Sequence, residues 1–154
     1  MKIRRFEPQD AEQIRQLFYD TVHTINARDY SKEQVDAWAP EALAADKWGQ
    51  MLAYNISYVA EQDSVIIGFG DLARNGYINC LYAHKDFQRK GVGSGLLAQL
   101  ETEARALGLT EVFAEASITA RPFFLAQGYQ CVQSQNKEHN GSVFLNYVMK
   151  KRLL

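Results

Sequence analysis

The sequence predicts an α+β fold in which a mainly antiparallel sheet of about seven strands packs against several helices. Three observations support this fold class. The spacing of apolar residues changes at Ile56 from the period of helices to that of strands. Two turn signals, 62–64 and Asn75-Gly76, divide the middle of the chain into hairpin strands. The last of these strands runs directly into a glycine-rich loop and an amphipathic helix.

The N-terminal third is predicted to form one strand and three helices. Asp10 is expected to be the N-cap of the first helix, whose apolar residues recur at helical spacing. Ser31 and Gln34 match a capping box at the start of the second helix, and Pro40 follows its end. The predicted elements are a strand over 2–6 and helices over 11–24, 31–38 and 41–52.

The remaining elements follow from alternation and from turn residues. Gly108 is expected to end the long helix that follows the glycine-rich loop, because glycine is favoured just beyond helix C-termini. Thr119 is expected to cap the last helix, which has Pro122 in its first turn and ends at Gly128. Strands are predicted over 57–61, 65–72, 77–82, 111–116, 129–136 and 143–150, the last two as a hairpin around 139–141.

Length and composition are those of one globular domain. The chain has 154 residues, 47% hydrophobic and 23% charged, so we expect a single domain over 1–154 with one sizeable core. Seventeen Lys and Arg against eighteen Asp and Glu give a net charge of -1, which argues against general binding of nucleic acid or membranes. Cys80 and Cys131 lie in apolar strands and are expected to stay reduced. With no apolar leader or membrane span, we expect a cytoplasmic protein.

The loop Gln88-Arg89-Lys90-Gly91-Val92-Gly93-Ser94 is typical of an anion-binding site. Its two glycines leave room for a ligand, and the first amides of the following helix have no partner within the helix. That helix is predicted to pack its apolar face on the sheet through Leu96, Leu97, Leu100, Ala104 and Leu107. The residues fit neither a Walker A loop nor a Rossmann fingerprint. A glycine pair is also common in tight turns with no ligand, so the loop alone leaves both interpretations open.

Two motifs together resemble the GNAT superfamily of acetyl-coenzyme A dependent N-acetyltransferases, and bacterial members in particular. The first is the loop pattern Gln/Arg-x-x-Gly-x-Gly/Ala, present as 88–93. The second is Ala120-x-x-Phe123-Phe124-x-x-x-Gly128-Tyr129, which is similar to the Ala-x-x-Phe-Tyr-x-x-x-Gly-Phe run of the family. The resemblance extends from residue 3 to about 153. It implies a GNAT-like mixed, twisted sheet with helices on both faces and splayed central strands.

The resemblance also implies a site for coenzyme A. The backbone amides of the loop would bind the diphosphate, and the end of the central strand would pair with the pantetheine. Ser117 stands where the family usually has asparagine, and a serine hydroxyl can still bond a pantetheine amide. The implied cofactor-binding residues are Leu81, Tyr82, Ala83, Gln88, Arg89, Lys90, Gly91, Val92, Gly93, Ser94, Ser117, Ala120, Phe123 and Phe124.

The catalytic residues are less well defined by the family pattern. The amide of Leu81 is expected to bond the thioester oxygen, and strand alternation predicts Tyr77, Asn79 and Leu81 on one face, with Cys80 on the other. That orientation argues against a covalent acetyl-cysteine. The family often has a carboxylate at one of the positions of Tyr77 and Asn79, but this chain has none there. Asp71 and His23 are the nearest titratable alternatives, although a structural role is favoured for each.

The leaving thiolate and the acceptor amine also leave alternatives open. Phe124 replaces the tyrosine that serves as proton donor in many relatives, so Tyr82, Tyr147 or water is considered instead. Four aromatic residues of the helical segment are candidates either for the core or for the acceptor pocket: Phe18, Tyr30, Trp38 and Trp48. His84, His139 and the cysteines lack metal-ligand spacing, so no metal is expected. Peptide N-termini, aminoglycosides, polyamines and amino acid analogues are all compatible acceptors.

The predicted activity is therefore N-acetyl transfer from acetyl-coenzyme A to a primary amine in a ternary complex. An acyl-coenzyme A sensor without turnover is the main alternative, since the family's carboxylate and tyrosine are missing. An α+β interaction protein without a cofactor is a second alternative. The edge of the C-terminal hairpin is compatible with a homodimer.

Overall fold

The structure is a computed structural model that describes residues 1–153. Leu154, the last residue of the predicted domain, lies outside the described residues. The strands are β1 (Lys2–Arg5), β2 (Ile56–Gln62), β3 (Val65–Leu72), β4 (Tyr77–Ala83), β5 (Glu111–Ser117), β6 (Gln130–His139) and β7 (Ser142–Arg152). The helices are α1 (Ala11–Thr24), α2 (Lys32–Trp38), α3 (Ala45–Tyr54), α4 (Val92–Ala106) and α5 (Arg121–Ala126). None of these helices is long and apolar enough to cross a membrane.

All seven strands of residues 1–153 belong to one mixed sheet in the order β1-β2-β3-β4-β5-β7-β6. Neighbouring strands are antiparallel except β4 and β5, which run parallel. The two predicted hairpin turns are present, and each has the backbone that a tight hairpin needs. Asp63 and Ser64 have φ of 52° and 65°, and Gly76 has φ of 98°. These turns fix β2, β3 and β4 as consecutive antiparallel strands.

Helices cover both faces of the sheet, as predicted, and each face has its own buried cluster. Helix α4 covers one face with Leu96, Leu97 and Leu100, each at most 1% exposed, and burial of each contributes roughly 2 kcal/mol. Helices α1, α2 and α3 cover the other face. Leu107 was predicted to extend the buried face of α4, but it is 45% exposed because it follows the last turn of the helix.

Three local predictions need correction. Asp10 occupies the N-cap position of α1 as predicted, but its side chain does not cap the helix; its carboxylate is buried, accepts a bond from the Glu7 amide and pairs with Arg4 at 2.9 Å. Thr119 does not cap α5, because its hydroxyl donates instead to Asp29 at 2.8 Å. Helix α3 begins at residue 45, four residues after the predicted start. In contrast, the capping box between Ser31 and the third residue of α2 is present as predicted.

Strands β4 and β5 pair over only two positions before they separate. Tyr77 is opposite Phe113 and Ile78 is opposite Ala114, whereas β4 continues to Ala83. A β-bulge accompanies the separation, because Leu72 faces Ile78 while the preceding residue of β3 faces Cys80. Asn79 is the additional residue in the bulge. The splayed central strands implied by the resemblance are therefore present.

The bulge corrects the predicted alternation along β4. Leu81 packs in the cluster under α4, whereas Cys80 packs in the cluster under α1. Asn79, in the bulge, contacts the Cys80 side: its amide nitrogen lies 3.6 Å from the Cys80 sulfur. The prediction that Asn79 and Leu81 share a face opposite Cys80 is therefore wrong, since a bulge shifts the period-two pattern by one residue.

Candidate active site

Two cavities meet at the gap between β4 and β5. The first, of about 670 Å³, follows the glycine-rich loop and the N-terminus of α4, and we call it the loop groove. The second, of about 490 Å³, lies on the side of α1, α2 and α3, and we call it the aromatic cavity. Five residues line both cavities: Trp38, Asn79, Tyr82, Glu115 and Ser117. The gap therefore joins two compartments, each large enough for part of a small molecule.

The glycine-rich loop presents the start of α4 to the loop groove. Gly91 has φ of 82°, a left-handed conformation that favours glycine, and α4 begins at the next residue. The amides at the first positions of a helix have no partner inside it, and those of residues 92–94 lie among the groove-lining residues. A Cβ at Gly93 would lie 3.3 Å from the ring of Phe123, so a side chain at this position would crowd the groove wall. The arrangement suits an anion approaching along the helix axis.

The other predicted loop residues occupy different positions relative to the groove. Arg89 lines the groove and has φ of 59°. Gln88 also lines it, but its side-chain amide donates to the carbonyl of Ala83 at 2.8 Å and thereby ties the loop to the end of β4. Lys90 is not among the groove-lining residues; its ammonium lies 5.7 Å from the centre of the Phe87 ring.

The end of β4 directs the amide of Leu81 toward the gap. His84 donates its amide to the Ile67 carbonyl of β3 at 2.8 Å, and the amide of Cys80 also points to β3, where it meets Asp71. Successive amides of an extended strand point to opposite edges. Those of Leu81 and Ala83 therefore point away from β3, toward the separated strand β5. Tyr82, between them, lines both cavities with its side chain.

Strand β5 and helix α5 form the opposite wall of the groove. The hydroxyl of Ser117 accepts a bond from the amide of Ala120 at 3.0 Å, which closes the turn into α5. Phe123 lines the groove, as does Phe124, which is only 4% exposed. The Phe124 ring packs edge-on against Phe123 and Tyr129. The wall at this point is apolar, because a phenylalanine ring has no hydrogen-bond donor.

Asp71 lies behind the gap, not in it. It is fully buried and lines neither cavity. One carboxylate oxygen accepts from the Cys80 amide at 2.8 Å, and the other accepts from the side chains of Asn55 and Asn79 at 2.9 and 3.0 Å. Burial raises the pKa of Asp71 above its usual value, against the opposing effect of these hydrogen bonds. The carboxylate thus replaces the backbone partner that Cys80 loses at the bulge and holds Asn79 at the edge of both cavities.

His23 is not brought to the gap. Its Nε2 lies 2.7 Å from the carbonyl of Ala39, its ring stacks on Tyr19, and it lines neither cavity. His23 therefore connects α1 to the end of α2, and it does not contact either cavity.

Glu115 is the carboxylate at the gap, and it was not among the predicted site residues. The Tyr77 hydroxyl lies 3.4 Å from one of its oxygens, and the ammonium of Lys137 lies 2.7 Å from both. The side-chain amide of Gln135 also donates to this carboxylate. A usable signal exists in the sequence: alternation along β5 places Glu115 on the same face as Ser117, which the family resemblance had already assigned to the site.

Two tyrosines at the gap retain their protons. Burial and the neighbouring Glu115 raise the pKa of Tyr77 above its usual value, and burial raises that of Tyr82 well above it. Tyr147, the other tyrosine considered as a proton donor, lies under the guanidinium of Arg121, 4.7 Å from the ring centre, and lines neither cavity. The Cys80 thiol lines the aromatic cavity, and burial together with Asp71 raises its pKa well above the usual value. A thiol that resists ionisation is a poor nucleophile.

The four aromatic residues considered for the core or the acceptor pocket belong to the core and also line the aromatic cavity. All four belong to the cluster under α1 or pack against it, and all four line the aromatic cavity: Phe18, Tyr30, Trp38 and Trp48. Tyr30 is fixed by two hydrogen bonds, since its hydroxyl donates to the Leu145 carbonyl and accepts from the Ile118 amide, each at 2.9 Å. The cavity wall is therefore a rigid part of the core.

Comparisons with known proteins identify similar proteins over most of the chain. A family model described as "Acetyltransferase (GNAT) domain" matches residues 26–151. The uncharacterized N-acetyltransferase YafP of Escherichia coli strain K12 is 32% identical over 150 residues, which cover 97% of this chain and 95% of the relative. The crystal structure of a GCN5-related N-acetyltransferase from Rhodopseudomonas palustris, named aminotransferase class II, superposes with a TM-score of 0.95 at 32% identity, covering 99% of this chain and 95% of that one.

A more distant structure shares the fold. The PaiA N-acetyltransferase of Thermoplasma acidophilum, solved in complex with coenzyme A, superposes with a TM-score of 0.81 at 20% identity. The match covers 99% of this chain and 98% of that chain.

Proposed function

The chain belongs to the GNAT acetyltransferase family, and on that premise we propose that it transfers an acetyl group from acetyl-coenzyme A to a primary amine. The transfer is direct, within a ternary complex of enzyme, acetyl-coenzyme A and amine. The observation that carries the proposal is the gap between β4 and β5, where an anion-binding groove meets a second cavity at Glu115.

The loop groove fits coenzyme A. Its floor presents the amides of 92–94 and the side chain of Arg89, a donor set suited to a diphosphate. Gly93 leaves the groove open beside Phe123, where a side chain would intrude. The edge of β4 beyond Ile78 is not paired with β5, so it is available to bond an extended amide-containing chain such as pantetheine. When bound, the cofactor supplies an acetyl group activated as a thioester.

A backbone amide at the gap can stabilise charge on the acetyl oxygen. The Leu81 amide points into the gap, and a fixed amide in a site shielded from water stabilises a developing oxyanion without reorganisation. The buried Asp71 keeps this part of β4 in place, because it holds both the Cys80 amide and the Asn79 side chain. We assign Asp71 a positioning role, since it has no surface in either cavity.

Glu115 is the proposed proton acceptor. Alkylamines are mostly protonated at neutral pH, with a reference pKa of about 10.4, and a protonated nitrogen has no lone pair for attack. In the transfer, the nitrogen forms a bond to the acetyl carbon, the carbon–sulfur bond breaks with its electrons on sulfur, and the nitrogen loses protons. Glu115, which lines both cavities, is positioned to accept one of these, directly or through water.

The leaving thiolate of coenzyme A does not depend on a strong proton donor in the protein. A thiol has a pKa near 8.5, so a thiolate leaves without full protonation. Tyr82 lines both cavities whereas Tyr147 lines neither, so Tyr82 is the tyrosine that we favour as proton donor. Direct transfer is favoured over an acetyl-cysteine because burial and the nearby Asp71 raise the pKa of Cys80, which disfavours the thiolate that attack on a thioester requires.

The proposed function is tested by coenzyme A release, followed with a thiol reagent, over a panel of primary amines. We expect amine-dependent release with initial rates that require both substrates at once. Tight binding of acetyl-coenzyme A without release for any amine would instead favour the sensor alternative. Absence of binding would contradict both and favour an interaction protein.

A further inference from the structure

The aromatic cavity has walls suited to a flat, apolar molecule. Seven aromatic side chains line it, and several contact one another in edge-on pairs. Trp38 meets Tyr30 edge-on with ring centres 5.3 Å apart and Phe144 edge-on at 5.8 Å, while Phe18 meets Trp48 in a tilted pair at 4.7 Å. Rings held by such contacts cannot turn away to accommodate a hydrated polar ligand. The volume of about 490 Å³ is enough for one or two fused rings with a short side chain.

The charges in the cavity do not suit a polycation. Four charged side chains line it, and they sum to zero: Lys47, Glu115, Lys137 and Glu138. Glu115 is engaged by Lys137 at 2.7 Å. A polyamine or an aminoglycoside carries several ammonium groups, each of which needs a carboxylate when water is removed. The cavity therefore favours a ligand with a single amine.

Hydrogen-bond acceptors lie near the gap, where that amine must sit to receive an acetyl group. The side-chain oxygen of Asn146 is buried in the cavity wall and receives no hydrogen bond from residues 1–153. Asn146 pairs in register with Ser117, one of the five residues shared with the loop groove. Because this oxygen has almost no accessible surface, the carboxylate of Glu115, 21% exposed, is the acceptor that an amine at the gap can reach.

We propose that the acceptor is a monoamine with a flat aromatic body, of the arylalkylamine class. The ring lies among Trp38, Phe18 and Phe144, and the amine points to Glu115 at the gap. The inference rests on the proposed acetyl transfer and narrows its substrate. Aminoglycosides and polyamines, which the sequence left open, are excluded as preferred acceptors by the charges of the cavity.

Substrate selectivity provides the first test. Release of coenzyme A is measured with 2-phenylethylamine, ethylamine, spermidine and kanamycin. We expect kcat/KM for 2-phenylethylamine to exceed that for ethylamine by about tenfold or more, the gain from burying one phenyl ring, and to exceed those for the polycations. Equal or better turnover of spermidine or kanamycin would overturn the inference while leaving the proposed function intact.

Binding without turnover provides the second test. Both tryptophans of the chain, Trp38 and Trp48, line the cavity, so intrinsic fluorescence reports its occupancy. We expect 2-phenylethylamine to change the emission at concentrations where ethylamine does not. If it binds in this way but no amine releases coenzyme A, the ligand class is supported and acetyl transfer is contradicted. No fluorescence response together with no selectivity would overturn the inference.

A pair of aromatic-to-leucine variants ties the selectivity to the cavity. Phe144→Leu keeps an apolar side chain at a buried site that lines only the aromatic cavity. We expect it to raise KM for 2-phenylethylamine by about three- to tenfold and to leave KM for ethylamine nearly unchanged. Tyr54→Leu, at a residue 78% exposed and outside both cavities, is the control and should change neither. Equal effects of Phe144→Leu on both amines would count against the proposed binding mode.

Discussion

Replacement of Glu115 by glutamine separates its chemical role from its structural one. The Glu115–Lys137 pair is partly exposed, with 21% and 56% of the side chains accessible, and such pairs contribute about 1 kcal/mol or less. Glutamine can still accept a hydrogen bond from the Tyr77 hydroxyl, since it keeps one side-chain oxygen. The variant should therefore lose no more than about 1 kcal/mol in the free energy of unfolding. Loss of a general base typically costs about 10²- to 10⁴-fold in rate.

The pH dependence makes this prediction sharper. Without a base, Glu115→Gln can use only amine that is already neutral, and with an amine pKa of about 10.4 that fraction grows about tenfold per pH unit. We expect kcat/KM of the variant to rise by about that factor per unit between pH 7 and 9, and more steeply than that of the unmodified protein. Coenzyme A release measured over this range gives the pH dependence of kcat/KM, and urea unfolding at pH 7 gives the change in the free energy of unfolding.

Glu111→Gln is the matched control. Glu111 begins the same strand, is 46% exposed at its side chain, lies 3.9 Å from Lys150 and lines neither cavity. The Glu111→Gln variant should release coenzyme A at the same rate as the unmodified protein. The assignment of Glu115 as proton acceptor is refuted if Glu115→Gln keeps its activity at pH 7, or if the two variants share one pH profile.

Three further predictions concern the groove and the bulge. Gly93→Glu should weaken acetyl-coenzyme A binding by at least about tenfold relative to Gly93→Gln, because a carboxylate repels the diphosphate. Calorimetry measures the affinity of both variants, and equal affinities would contradict a diphosphate site at this loop. Asp71→Asn should lower the free energy of unfolding by about 2–4 kcal/mol in urea titrations, because its amide would meet the Asn79 donor. The pKa of Asp71 is raised in the folded protein, so its ionised form lowers stability at neutral pH and this cost falls as the group is protonated on acidification. The unmodified protein should therefore gain stability relative to Asp71→Asn as pH falls. If the difference between their free energies of unfolding becomes smaller instead, the pKa is not raised. Cys80→Ala should keep kcat within about threefold, and mass spectrometry should find no acetylated enzyme during turnover, whereas an adduct on Cys80 would refute direct transfer.

Features with a local cause could be predicted from the sequence. The hairpins at 62–64 and Asn75-Gly76 follow from turn residues, and the capping box at Ser31 from side chains three residues apart. The position of the glycine-rich loop before α4 follows from the same kind of short-range chemistry. Family resemblance added what propensity could not, namely a mixed sheet whose central strands separate; the structure identifies these strands as the parallel pair β4 and β5.

Features that depend on tertiary contacts were missed. The bulge at Asn79 exists because the Asp71 side chain, from the neighbouring strand, takes the Cys80 amide, and alternation along β4 alone does not reveal it. Glu115 gains its place at the gap from partners on other strands, including Tyr77 and Lys137. Alternation along β5 places Glu115 on the face of Ser117, but its partners are long-range, so no window of sequence around Glu115 contains them.

The central claim is that backbone amides at the start of α4 bind the diphosphate of coenzyme A. Calorimetric titration of acetyl-coenzyme A beside S-acetylpantetheine, which has the same thioester but no diphosphate or nucleotide, tests it most directly. We predict at least about hundredfold tighter binding of acetyl-coenzyme A, since charge-assisted bonds to several amides would be lost with the shorter ligand. Equal affinity for the two, or no heat from acetyl-coenzyme A at millimolar concentration, would contradict the claim.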